Sequence, residues 1–137
     1  MTTTTTAAAR RVEHVMGMPI SLALRGRHTH DDAAEAAWAA ALDCLRHADA
    51  VFSTYRPDSL VSAIRRGELA PADAPAEVHE VLAIGARAER ATDGAFSLWR
   101  PALDPSAVVK GWAVERASAY LRALPDTDFC LGAGGDL

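Results

Sequence analysis

Residues 12–24, from Val12 to Leu24, read VEHVMGMPISLAL. Apolar and polar residues alternate in part, and β-branched side chains are frequent. Met16-Gly17-Met18, next to Pro19, interrupts the run. The pattern predicts two short strands with an irregular join at Met16–Met18. Far downstream, Pro125–Asp128 reads as a turn and Asp128–Leu131 as the start of another strand. The strand runs directly into Gly132-Ala133-Gly134-Gly135-Asp136-Leu137. A glycine-rich turn normally leads into a further element, so this late strand is expected to be unpaired. Short N-terminal strands, several amphipathic helices and a late strand predict an α+β domain, cut short after the late strand.

The intervening residues supply the helices. Gly26–His30 is polar and turn-like; His28 and His30 could bind metal but read more simply as solvated. Asp31–Phe52 is the clearest helix, with acidic residues in its first turn and Trp38, Leu42, Leu45 and Phe52 on one face. His47 and Asp49 read as exposed helix positions. STYRP, residues 53–57, ends it, and a shorter helix runs from Asp58-Ser59 to about Arg66, with Gly67 just beyond. Pro71 and Pro75 mark a surface connection. Glu77–Thr92 is a third helix with Val78, Val81, Leu82 and Gly85 inward, ended by Asp93-Gly94. Ala95–Pro105 is irregular. Ser106 is the expected N-cap of a fourth helix to about Leu124, burying Val109, Trp112, Ala113, Tyr120 and Leu124.

Composition bounds the function. The 137 residues are 50% hydrophobic and 23% charged, which excludes disorder over most of the chain. Fourteen basic and 18 acidic side chains give −4, with no basic stripe, so no nucleic-acid partner is expected. Cys44 and Cys130 lie far apart, form no C-x-x-C pair, and read as two buried reduced thiols. Charges interrupt every apolar run, so no membrane span is expected. MTTTTTAAA, residues 1–9, lacks the order of a secretory signal and reads as a disordered tail before a domain over 10–137. The expected location is the cytoplasm.

Five segments are unlike ordinary core or surface: HVMGMPI at 14–20, FSTYRPDSL at 52–60, TDGAFS at 92–97, LDPSAVVKGWAV at 103–114 and the terminal GAGGDL. In this order they resemble the ApbE-type flavin transferases, whose pattern runs M-G-T, S-T-Y-x-x-x-S, T-x-G-A-F-D, D-x-S-x-x-x-K-G-x-A-x-D and G-G-D. The resemblance spans nearly the whole chain after the tail. It implies a FAD:protein FMN transferase that splits the FAD pyrophosphate and joins FMN through a phosphoester to a threonine of an acceptor protein, with Mg2+. It also implies further acidic and threonine Mg2+ ligands and a histidine motif that members carry beyond the G-G-D segment, so this chain alone is expected to be inactive. Two other outcomes stay open: a Mg2+-dependent FAD pyrophosphatase, or a non-catalytic flavin-binding module.

By the same resemblance, Met16, Tyr55, Ala95, Phe96, Ser97, Asp104 and Lys110 correspond to FAD contacts, and Ala107 to a Mg2+ ligand acting through its backbone carbonyl. A catalytic base is not assigned. The chemistry suits the residues. A loop tyrosine can stack on a flat ring and still donate its hydroxyl. Ser106 opens a helix whose free N–H groups can face a diphosphate, with Lys110 one turn on along the same side. Read without the resemblance, Met16 is core filling, Tyr55 closes a helix end, and 104–114 is a capped amphipathic helix with an exposed lysine. The S-x-x-x-K spacing does not match the S-x-x-K of serine acyl-enzymes. Met18 stands where threonine is usual and Ser97 where aspartate is, and only six residues separate Ser97 from Asp104.

Overall fold

The computed structural model describes residues 8–134. Its elements are strands β1 (Ala9–Val15) and β2 (Met18–Gly26), helices α1 (Asp32–Phe52), α2 (Leu60–Arg65), α3 (Ala76–Ala91) and α4 (Ser106–Arg122), and strand β3 (Thr127–Ala133). A 3-10 turn, Pro71–Asp73, precedes α3. The chain divides into two compact units, one formed by residues up to 46 with those from 113 onward, the other by residues 47–112.

The first unit holds a three-stranded antiparallel sheet in the order β1-β2-β3. β1 and β2 form a hairpin whose two-residue loop, Met16-Gly17, has φ of 59° and 71°. Two left-handed residues make the turn whose twist suits a hairpin. Glycine adopts that backbone freely, whereas methionine there costs on the order of 1 kcal/mol. β2 is the central strand, and Ile20, Leu22 and Leu24 are at most 1% exposed. Their register partners Glu13, Arg11 and Ala9 share that face. Arg11 reaches Glu35 at 2.9 Å and Arg46 reaches Glu13 at 3.3 Å, which ties α1 to the same side. Ala34, Ala41, Leu45, Ala117 and Leu121 are also buried in this unit. Burying each large aliphatic contributes about 1.5–3 kcal/mol.

Several expectations are corrected. The late strand is paired: β3 runs antiparallel to β2, with Leu131 opposite Leu22, because a neighbour far away in sequence supplies its ladder. Ala9, read as tail, is the first residue of β1 opposite Leu24; residues 1–7 of that reading lie outside the described ones, as do Gly135, Asp136 and Leu137. Tyr120 is 49% exposed, and Ala117 and Leu121 take the buried face of α4 instead. Neither Cys44 nor Cys130 forms a disulfide, but Cys44 is only half-buried and Cys130 is exposed. Cys130 pairs in register with Ala23, on the sheet face opposite Leu22. His28 is not simply solvated. Its Nδ1 lies 2.6 Å from Asp31 Oδ2, and its N–H donates to Thr127 Oγ1 at 3.1 Å. Asp31 also caps α1 through Ala34 N–H at 3.0 Å, and the His28 and Ala34 hydrogen bonds hold its carboxyl below the usual range.

In the second unit, α3 buries Val78, Val81 and Gly85 and ends at Asp93-Gly94, both left-handed. Phe52 meets Trp112 edge-on at 5.2 Å, and Trp112 Nε1 donates to Glu80 at 2.8 Å. Among the described residues no helix is long and apolar enough to cross a membrane.

Candidate functional site

The segment after α1 is built from serine hydroxyls. Ser53 Oγ accepts the N–H groups of Tyr55 and Arg56 at 3.1 and 3.2 Å. Ser59, 1% exposed, caps α2 by accepting Ser62 N–H at 3.0 Å, and its hydroxyl donates to the Ser53 carbonyl at 2.6 Å. Ser62 Oγ donates to the Arg56 carbonyl at 2.7 Å. Local hydroxyl bonds of this kind replace the ladder that an irregular backbone lacks. The loop is pinned from inside, so Tyr55 is left outside, 95% exposed. The sequence offers a signal for this network, the S-T-Y-x-x-x-S spacing, in which Ser53 reads as a flank of the tyrosine and Ser59 as part of the start of the shorter helix. Ser59→Ala is expected to lower stability by about 1–2 kcal/mol, through loss of the cap and of a buried acceptor's partner. Urea unfolding checks this; a change within about 0.3 kcal/mol would mean that the hydroxyl network does not hold the loop.

Beside Tyr55 lies an open pocket of about 400 Å³, lined by Thr54, Tyr55, Pro57, Ser62, Arg65 and Arg66. Arg66 grips Glu68 through Nε and Nη2 at 2.9 and 3.0 Å and the Pro57 carbonyl through Nη1 at 2.8 Å.

The segment read as irregular turns back on α3. Thr92 Oγ1 donates to the Ala88 carbonyl and accepts Phe96 N–H, both at 2.9 Å. Arg100 donates to the Gly94 carbonyl. Phe96 and Ser97 are half-buried and Ala95 is exposed. Ser97 Oγ accepts Trp99 N–H at 3.1 Å, a local turn that the usual aspartate could also make. Asp104 N–H then donates to the Leu98 carbonyl at 2.7 Å, which places Asp104 directly against this segment.

Asp104 takes the capping role expected of Ser106. Ser106 is the first residue of α4, and Asp104 Oδ1 accepts its N–H at 3.0 Å and its hydroxyl at 2.5 Å. The helix start is therefore capped by the aspartate. Those two hydrogen bonds, with the Arg65 charge nearby, hold the Asp104 carboxyl below the usual range. Lys110 is half-buried one turn along from Ser106, and Ala107 is exposed in the first turn of α4.

The second unit thus gathers most of the candidate residues. Asp104 adjoins the 95–98 segment through Leu98 and the Tyr55 pocket through Arg65. Met16 belongs to the other unit, half-buried at the hairpin tip in a left-handed conformation. Arg65 and Leu98 are not singled out in the sequence, since an exposed arginine and a leucine each have commoner explanations. As a metal ligand, Ala107 offers one carbonyl oxygen, whereas Mg2+ demands near-octahedral oxygen coordination. Among the described residues no three His, Cys, Asp or Glu side chains group together. These residues alone do not make a Mg2+ site.

Residues 16–101 match the ApbE family. The fold is similar to the crystal structure of the Pseudomonas stutzeri flavinyl transferase ApbE in its apo form, with a TM-score of 0.68 and 21% sequence identity. The likeness covers 93% of this chain and 54% of that one, so the chain spans about half the length of that solved protein. No curated protein matches.

Proposed function

The chain belongs to the ApbE family, and from that premise we propose that it contributes the flavin-nucleotide contacts of a FAD:protein FMN transferase, Tyr55, Ala95, Phe96, Ser97, Asp104 and Lys110 in the second unit and Met16 in the first. In the reaction proposed, a threonine Oγ of the acceptor protein bonds to the FMN phosphorus and the bond to the AMP phosphate breaks. AMP leaves, and the hydroxyl proton passes to a base to which no described residue is assigned.

The observation that carries this reading is the exposed Tyr55 ring. A tyrosine held 95% exposed by a buried serine network has an aromatic face available to a flat ligand. The adjoining pocket gives such a ligand a wall, and Asp104 sits close to its arginine. Mg2+ remains part of the proposal through the family pattern at Ala107, but no step is drawn through it, because one carbonyl does not hold the ion.

Incubation of the complete protein, of which this chain is taken as a part, with FAD, Mg2+ and a threonine-bearing acceptor protein tests the reading. Flavin fixed covalently to the acceptor supports it. Free FMN and AMP would assign a pyrophosphatase instead, and unchanged bound FAD a binding module. The module reading draws on Met18 and Ser97, where the pattern's threonine and aspartate are replaced.

Tyr55→Ala is expected to weaken FAD binding about five-fold, and Tyr55→Phe to keep most of it, since a ring stack is worth on the order of 1 kcal/mol. Fluorescence titration measures both. An unchanged Kd for Tyr55→Ala would remove the ring from the site.

A further inference from the structure

We infer that Arg65 binds a phosphate of the flavin nucleotide, and so makes the Tyr55 pocket prefer phosphorylated flavins to riboflavin. This rests on the flavin-binding reading above and adds to it a residue outside the family pattern.

Two arginines end α2, and they differ in what they already hold. Arg66 is engaged on three sides, by both oxygens of Glu68 and by the Pro57 carbonyl. It is a wall of the pocket, with its fork closed. Arg65 is exposed and lines the same pocket, and among the described residues it has no hydrogen-bonded partner. Its charge reaches Asp104, whose carboxylate is occupied by Ser106.

A guanidinium presents a rigid planar fork of N–H donors that matches two oxygens of a phosphate. Tyr55 lines the pocket with an aromatic ring and Arg65 with a cation. A flat ring carrying a phosphate satisfies both together, and riboflavin satisfies only the first. Asp104 is itself anionic, so an anionic ligand gains from a positive group that offsets that carboxylate.

The test is titration of the chain, Arg65→Ala and Arg65→Lys with riboflavin, FMN, FAD and ADP, by flavin fluorescence and by calorimetry for ADP. Arg65→Ala is expected to lose about ten-fold in FMN, FAD and ADP affinity and nothing in riboflavin affinity. Arg65→Lys keeps the charge without the fork and falls between. Rising salt should weaken FMN binding to the parent chain more than to Arg65→Ala. Because Arg65 is exposed, thermal melting of the variants should match the parent.

The inference is overturned if Arg65→Ala leaves FMN, FAD and ADP binding unchanged, or if it weakens riboflavin equally. If riboflavin, FMN and FAD all fail to bind while ADP binds through Arg65, the anion role stands and the flavin reading falls. If nothing binds, both fall.

Discussion

Gly85→Val is expected to destabilise the protein by about 1–3 kcal/mol and to weaken flavin binding at the same time. Gly85 is buried in the middle of α3, where glycine is an unfavourable choice by about 1 kcal/mol relative to alanine. Packing outweighs that preference. A Cβ at this position would stand 2.3 Å from Leu98 Cδ1 and 2.6 Å from its Cγ. Leu98 is 2% exposed, so its side chain has little room to swing away. Valine adds two further methyl groups, and its β-branch recovers only part of the helix propensity that alanine would gain over glycine. The effect should travel, because the Leu98 carbonyl accepts the Asp104 N–H at 2.7 Å. Displacing Leu98 therefore displaces the cap of α4 and a proposed flavin contact. Gly85→Ala should be milder, since its helical gain partly offsets the overpacking. Urea unfolding and FAD titration on both variants measure the two effects. Undiminished stability would refute the close approach, and lost stability with unchanged FAD affinity would uncouple Leu98 from Asp104.

Local chemistry was legible in the sequence where it was self-contained. The two strands flanking Met16-Gly17, the α1 stripe of Leu42, Leu45 and Phe52, and the α3 face of Val78 and Val81 all follow from spacing within a single element, whereas the join read as irregular is a regular two-residue hairpin turn. Tyr120 was misplaced because it stands one position before the buried face. Counting from Val109 and Ala113 by four reaches Ala117 and Leu121. The partner of β3 was illegible because it is β2, more than a hundred residues away, and no local pattern encodes that ladder. The site divides in the same way. Tyr55 and Asp104 belong to recognisable motifs, whereas the role of Arg65 depends on a pocket formed by residues from two segments, 54–57 and 62–66. That Asp104 and not Ser106 caps α4 follows from backbone geometry, which leaves Ser106 already helical.

The register of β2 permits the other large-effect test. Leu22→Ala is expected to cost about 2–5 kcal/mol, and Val12→Ala to stay within about 0.5 kcal/mol. Both are aliphatic residues of the same hairpin, and they separate only through the two-residue period of a strand. Leu22 is 1% exposed, opposite Arg11 on one side and Leu131 on the other. Val12 is 59% exposed, opposite Ser21 on the other face. A slip of one residue would exchange the two faces, and with them the two results. Truncating Leu22 leaves a cavity under the middle of a three-stranded sheet, where β1 and β3 both depend on β2 for their ladders. Amide exchange across Phe129–Leu131 should therefore quicken in Leu22→Ala and not in Val12→Ala. Equal losses in the two variants would mean that neither sheet face is preferentially buried. A loss of stability without faster exchange in β3 would mean that β3 does not rely on the central strand as its register indicates.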